Sequence, residues 1–306
     1  MTESKAAGIY DPIGPWSRSP LDPQPALVGD LKADVAIVGG GYLGLSAALR
    51  LRRAGCEVAL LEQSFCGAGA SGRNAGHLTP TIGKDVYTCL RQWGVERGLA
   101  LAAFAEAAVD ATEARIAALN IDCDYVGNGN IVAGLHPAHR KPLEAAAAAM
   151  SAAGLPTSFL EDRDLRARGL PRAFRFGLLE RRGGHLNPGK YARGLRFAAL
   201  AAGVKIFEHT AVTGVREGPQ PRLRTAMGHV SAKQVLIATN AYVQPDLAGA
   251  AGRILPLRVT LFQTEPLSSM QRQGLGWPGG EGVYTAHEIM ESYRITPEGR
   301  LVGGSK

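Results

Sequence analysis

The chain has 306 residues, 45% hydrophobic and 20% charged, a composition that buries a substantial core in one large domain or two and points to a soluble globular protein. Its net charge of +7 is spread over many segments and comes with only 6% aromatic residues, so it reads as solvated surface, with no nucleic-acid partner expected. The start, MTESKAAGIYDPIGPW, has no apolar core of a signal peptide and no stretch approaches 18 apolar residues, so no membrane span is indicated and a cytoplasmic location is expected.

Residues 1–33 carry Pro12, Pro15, Pro20, Pro23 and Pro25, which predict an extended arm on the surface, with regular structure starting near Asp34. The stretch Asp34 to Glu62, DVAIVGGGYLGLSAALRLRRAGCEVALLE, then reads as strand, glycine turn, helix and second strand. Gly39, Gly41 and Gly44 form G-x-G-x-x-G directly after the strand. The first permits a tight turn, the second lets backbone approach a pyrophosphate, and the third lets the helix pack closely on the strand. The helix, about Tyr42 to Ala54, offers unpaired N–H groups and its positive dipole end to phosphates. It has Leu43, Ala47, Leu51 and Ala54 at helical spacing and ends at Gly55, a left-handed cap. Glu62 lies 18 residues after Gly44, where a carboxylate accepts ribose hydroxyls and disfavours a 2′-phosphate. With strand, helix and acid in place, the motif points to a dinucleotide.

A glycine-rich loop follows to Pro80, then a helical stretch from Asp85 to Leu119. Next come a strand Asn130 to Leu135, an alanine-rich helix Arg140 to Ala153, and apolar runs near Ser158 and over Phe174 to Leu179. Asn187 and Pro188 start another helix that ends at Gly203. Strands are predicted at Val204 to Glu208, Ala211 to Arg216 and Val235 to Ala238. From Ile254 the pattern is antiparallel: Arg258 to Thr264, Gly282 to Thr285, and a hairpin of Ser292 to Ile295 with Arg300 to Val302. The expected fold is α/β: a Rossmann-like dinucleotide domain and a discontinuous second domain on a largely antiparallel sheet, with a pocket at their interface. Cys56, Cys66, Cys89 and Cys123 are scattered without C-x-x-C spacing and are expected to be reduced thiols.

Three separated motifs resemble the FAD-dependent oxidoreductases of the D-amino-acid oxidase family, in the branch of glycine oxidase, sarcosine oxidase and gamma-glutamylputrescine oxidase. They are the Asp34–Glu62 stretch, GAGASGRNAGH at 67–77 and VLIATNAY at 235–242; GGHLNPGKYARGL at 183–195 adds to them. The resemblance covers about residues 30–306. It implies an FAD-binding domain of residues 34–90 and 183–245 and a substrate domain of residues 91–182 and 246–306. By position it implies that Gly39, Gly41 and Gly44 hold the pyrophosphate, that Glu62 holds the adenosine ribose and that Val212 meets adenine through its backbone. Ser71, Arg73 and Asn74 would lie by the ribityl chain or isoalloxazine edge, and Thr239 and Asn240 near the pyrophosphate. The implied reaction is oxidation of an amine or amino acid by hydride transfer to FAD, the imine then being hydrolysed.

The family pattern also includes a C-terminal return to the flavin domain, whereas this sequence stops at GRLVGGSK, so a C-terminally truncated member whose site a protein partner completes is a further expectation. Two other readings stay open: an NAD-dependent dehydrogenase, which would share the first motif, and a non-catalytic FAD-binding fragment or subunit. His77, His185, Tyr293 and Arg294 are candidates to approach substrate, each more simply structural, and no catalytic residue is assigned. His287-Glu288 begins an H-E-x-x pattern without a second histidine, and no metal site is expected.

Overall fold

The structure is a computed structural model and describes residues 14, 16, 18–84, 86–243, 247, 253–255, 257, 259–287 and 289–305. In chain order it begins with β1 (Gly29–Val38), α1 (Tyr42–Arg53), β2 (Val58–Leu61) and β3 (His77–Leu78). There follow α2 (Val86–Trp93), α3 (Val95–Ala118), β4 (Asn130–Gly134), α4 (Arg140–Ala152), β5 (Thr157–Leu160), α5 (Asp162–Ala167), β6 (Phe176–Glu180) and β7 (Gly184–His185). The remainder comprises α6 (Pro188–Ala201), β8 (Lys205–Phe207), β9 (Gly214–Arg216), β10 (Arg222–Arg224), β11 (Gly228–Ile237), β12 (Thr260–Gln263), α7 (Ser269–Leu275), β13 (Gly282–Thr285), β14 (Glu291–Ile295) and β15 (Leu301–Ser305). The chain divides into two compact units, Met1–Arg73 with Pro188–Pro256 and Asn74–Asn187 with Leu257–Lys306.

The first unit is built on a six-stranded sheet of order β8-β2-β1-β11-β10-β9. Its centre is parallel, with Val35 beside both Val58 and Gln234, and β2 is flanked in parallel by β8. Strands β10 and β9 extend it in antiparallel fashion. Strand β1 is buried at Ala36 and Ile37 because sheet neighbours and α1 cover it. Sequestering an isoleucine this completely is worth roughly 1.5–3 kcal/mol.

Three expectations need correction in this unit. Regular structure starts at Gly29, five residues before Asp34, because β1 keeps pairing with β11 from Gly29↔Gly228 onward. The buried face of α1 is Gly44, Leu45, Ala48 and Leu49, while Leu43 is 61% exposed. The reason is Gly44: its α-carbon faces the Gly39 carbonyl so closely that this side of the helix must lie on the strand. The segment Ala211 to Arg216 is a strand only over Gly214–Arg216, and β10, which pairs with it, has no counterpart in the expected elements.

The second unit holds a seven-stranded sheet of order β12-β15-β14-β13-β4-β6-β5 and a small β3-β7 ribbon. One face packs Val132, Phe176, Leu178 and Tyr284 with α4 residues Leu143, Ala146, Ala147 and Met150. The other packs Ile131, Ala133, Leu179 and Val283 with Leu165 of α5 and Trp277. The hairpin β14-β15 forms as expected. The sheet is not wholly antiparallel, since β13 runs parallel to β4, with Gly282 beside Asn130. The helical stretch from Asp85 is two helices, broken at Gly94 with φ of 80°. Asp85, Arg258 and Glu288 lie outside the described residues.

Candidate functional site

The glycine turn of the first unit is a cradle cleared of side chains. Gly39 has φ of 108°, a left-handed conformation that favours glycine, and a Cβ there would stand 2.7 Å from the Ala238 carbonyl oxygen. A Cβ on Gly41 would meet Ser71 Oγ at 2.8 Å, and one on Gly44 would overlap the Gly39 carbonyl. Gly39 and Gly44 are therefore closed to any larger residue by backbone, and Gly41 is crowded by the Ser71 hydroxyl.

The start of α1 has no cap from its own N-cap residue, Gly41. Ser71 supplies one from a distance, its Oγ accepting the Tyr42 N–H at 3.0 Å. Tyr42 in turn donates its hydroxyl to the Pro188 carbonyl at 3.1 Å and its ring lies 5.1 Å from that of Tyr191. This ties the helix start to α6. Thr239 lies against the opposite side of the turn: the Ala238 N–H donates to Val38 O at 2.8 Å, and the Thr239 N would be 3.3 Å from a Cβ on Gly39. The Thr239 hydroxyl oxygen is buried and has no hydrogen-bond partner among the described residues. Buried hydroxyls are normally satisfied, so this one is open to a ligand atom or a water.

Glu62, just past β2, accepts the Gly40 N–H on Oε2 at 2.7 Å and the Ser64 N–H on Oε1 at 3.0 Å. Burial pushes its pKa up, the two N–H groups oppose that, and the charge of Glu208 adds to the rise. Each carboxylate oxygen keeps a lone pair for a further donor such as a sugar hydroxyl.

The remaining expected site residues are distributed less tightly. Arg73 is exposed and donates from Nε to the Ala68 carbonyl at 2.6 Å. Asn74 opens the second unit, where its Oδ1 accepts the Gly76 N–H at 2.8 Å. Val212 is buried in the core of the first unit, in the irregular segment before β9. Asn240 is exposed in a short helical turn, with φ of 49°. Gly39, Gly41, Gly44, Glu62, Ser71 and Thr239 thus surround the α1 start, while Asn240 stands at its edge. Sequence reasoning missed Gly40, whose N–H orients Glu62, and the buried pair Arg196–Glu208 behind it. The one available signal was Glu208 itself, a carboxylate at the end of a predicted strand.

In the second unit His77 and His185 sit opposite each other in the β3-β7 ribbon. The Asn130 amide nitrogen donates to Leu78 O at 2.9 Å, which leaves its Oδ1 to accept from His77 Nδ1 at 3.3 Å. His185 Nε2 donates to Gly280 O at 3.2 Å. Burial lowers both pKa values to about 4, so both rings are neutral at pH 7. Arg294 is buried and donates to the Ala75 carbonyl; burial lowers its pKa to about 10. Tyr293 donates its hydroxyl to Glu291 at 2.9 Å. Among the described residues no group of three or more His, Cys, Asp or Glu is placed to hold a metal ion, and no helix is long and apolar enough to cross a membrane.

A family model described as FAD dependent oxidoreductase, DAO, matches residues 34–306, which takes in the cradle, Glu62 and both sheets. The chain belongs to this family. Its sequence is 33% identical over 279 residues to the gamma-glutamylputrescine oxidoreductase of Escherichia coli, covering 90% of this chain and 64% of that protein. A probable oxidoreductase OrdL of Haemophilus influenzae is 30% identical over 280 residues, covering 89% of this chain and again 64% of the relative. The chain therefore spans less than two thirds of the length of these two relatives. Among solved structures, glycine oxidase from Geobacillus kaustophilus superposes with a TM-score of 0.72 at 22% identity, over 90% of this chain and 71% of the other. L-Amino acid deaminase from Proteus myxofaciens gives 0.70 at 20% identity, over 94% and 61%. The fold is that of these FAD-dependent oxidoreductases, mixed α/β with parallel and antiparallel sheets.

FAD is the family's cofactor, and the cradle suits it. Positions cleared of side chains lie against the start of a twelve-residue helix, an orphaned threonine hydroxyl lies beside them, and a carboxylate stands at the end of the second strand.

Proposed function

We propose that the chain binds FAD through its first unit and oxidises a small amine or amino acid at its C–N bond. The observation that carries this reading is the cradle at Gly39, Gly41 and Gly44 beside Glu62, in a chain of the DAO family related to gamma-glutamylputrescine oxidoreductase. In it, the backbone of Gly39 to Tyr42 receives the diphosphate, with Thr239 supplying a hydroxyl and Glu62 accepting from the ribose. Val212 backs the adenine, Ser71 and Arg73 lie by the ribityl chain or isoalloxazine edge, and Asn240 lies near the diphosphate. When bound, FAD supplies the hydride acceptor for the carbon next to the substrate nitrogen, and water hydrolyses the resulting imine. The protein's own contribution is to orient the donor and exclude competing reactions. The family match to residues 34–306 favours FAD over NAD.

The test is anaerobic. Purified protein loaded with FAD is expected to keep a flavin spectrum after desalting and to bleach with one class of donor among glycine, sarcosine, D-amino acids and free or glutamylated polyamines. Colourless desalted protein would overturn the cofactor assignment. Retained flavin that no donor bleaches would overturn the enzymatic part and leave an FAD-binding protein.

A further inference from the structure

Behind Glu62 lies a second carboxylate that the cofactor does not need to touch. Glu208 follows β8 and is fully buried, and Arg196 on α6 is 1% exposed. Arg196 Nε and Nη2 donate to the two Glu208 oxygens at 3.1 and 3.0 Å, a fork that matches the carboxylate. The outer side of the guanidinium is held by the N-terminal segment, Nη2 donating to the Asp22 carbonyl at 2.6 Å and Nη1 to the Asp22 carboxylate at 3.3 Å. Glu208 also accepts two backbone N–H groups, from Gln24 at 2.7 Å and Cys66 at 2.8 Å.

Cys66 connects this network to the nucleotide end of the unit. The segment Glu62 to Gly67 leaves β2, and both its ends are fastened to Gly40: the Gly40 N–H donates to Glu62 at 2.7 Å, and the Gly67 N–H donates to the Gly40 carbonyl at 3.0 Å. Its middle is held by the Ser64 carbonyl, which accepts the His209 N–H at 2.7 Å, and by Glu208 through Cys66. A Cβ on Gly40 would lie 2.6 Å from Cys66 Sγ, so the loop has no slack against the turn.

The charges around Glu62 are few. Glu208 raises its pKa, after burial; the Cys66 thiol is pushed well above its ordinary value by burial and stays neutral; Arg196 is the balancing cation, itself paired with the half-exposed Asp22. For Arg196, burial works against the charge, but its bonds to Glu208 and Asp22 outweigh that and hold it protonated. For Glu208, burial likewise opposes ionisation, and Arg196 with the two N–H groups keeps it ionised. Without Arg196 an unpaired carboxylate would remain in the core, beside the partly buried Glu62, and each charge would disfavour ionisation of the other.

We infer that Arg196 is a positioning residue for the ribose grip: by neutralising Glu208 it keeps Glu62 a charged acceptor and the Glu62–Gly67 loop closed on the glycine turn, with Asp22 and Gln24 completing the lock. The inference rests on the reading of Glu62 as the ribose acceptor.

The experiment measures FAD affinity of the full chain by flavin fluorescence across about pH 5.5 to 9. Protonation of Glu62 removes an acceptor, so affinity falls as pH falls through its pKa. In R196M that fall should begin about one pH unit higher, with binding weakened by up to about tenfold at the acid end of the range and close to wild type at the alkaline end. The double variant R196M/E208Q removes the orphaned charge and should recover the wild-type pH profile. A loss in R196M that is equal at every pH, or a double variant no better than the single one, would overturn the inference. E62Q separates it from its foundation: weakened, pH-independent binding is expected, whereas wild-type affinity in E62Q would remove the ribose reading and this inference together. Should R196M not fold, D22N takes its place: loss of the Asp22 charge leaves Arg196 to act more fully on Glu208, so a small shift of the fall to lower pH is expected, and an unshifted profile would count against the lock.

Discussion

Gly44 and Gly55 are both conspicuous in the sequence, yet the structure gives them unequal weight. A methyl group on Gly44 would overlap the backbone carbonyl of Gly39, which cannot turn aside. Gly55 has φ of 89° and open space around its α-carbon. G44A is therefore expected to cost more than about 3 kcal/mol and to abolish FAD retention, whereas G55A carries only the left-handed strain of about 1 kcal/mol. Urea titration of both variants checks this, and equal losses would contradict the packing assigned to Gly44. At this scale the turn was legible because its requirements are local: Gly39, Gly41, Gly44 and Glu62 answer to one another within a single strand–helix–strand run. Arg196 and Glu208 were not, since their pairing depends on α6 returning beside β8 and on Asp22 arriving from the far end of the sequence. Val212 was expected on a strand and lies in irregular chain, because β10 pairs only as far as Gly214.

Among the elements, α3 carries a charge where its neighbours offer no partner. Glu106 is 7% exposed and neither carboxylate oxygen has a hydrogen-bond partner among the described residues. Burial raises its pKa from 4.5 to about 7, against the pull of Arg182, which is itself paired with Asp110. A carboxyl whose pKa is higher folded than unfolded stabilises the fold fully below its unfolded value, and that contribution disappears as pH rises through the folded one. Between about pH 4.5 and 7 the wild type should lose stability that E106Q keeps, leaving the variant about 1–2 kcal/mol more stable at pH 8.5 and equal at pH 4. Thermal melts at the two pH values test the sign, and an equal gain at both would mean that charge is not the cause. The helices themselves were legible in alanine content and apolar spacing, as α4 and α6 illustrate. The break at Gly94 was not, because a single glycine within such a pattern is also tolerated inside a helix. Parallel pairing of β13 with β4 was equally hidden, since a four-residue apolar strand carries no mark of its neighbour's direction.

At the level of the whole molecule, alternation of strands and helices gave the fold class, and the turn residues placed the final hairpin correctly. The division into two units, each assembled from separated stretches of chain, has an energetic corollary. A fragment ending at residue 204 would retain the glycine turn and Glu62 but lack β8 and β11, the strands that flank β2 and β1. It is expected to show no cooperative unfolding transition and no flavin retention, and a fragment that bound FAD like the full chain would show that the turn folds without its sheet.

The ten-residue β1, matched along its length by β11, also sets the order of events during biosynthesis. It leaves the ribosome early and must wait until the polypeptide has grown past residue 237 before its longest neighbour is complete. Through that interval Val35, Ile37 and Val38 face solvent or a chaperone, so the yield of native protein should depend more on how translation proceeds through the intervening region than on the intrinsic strength of the finished sheet.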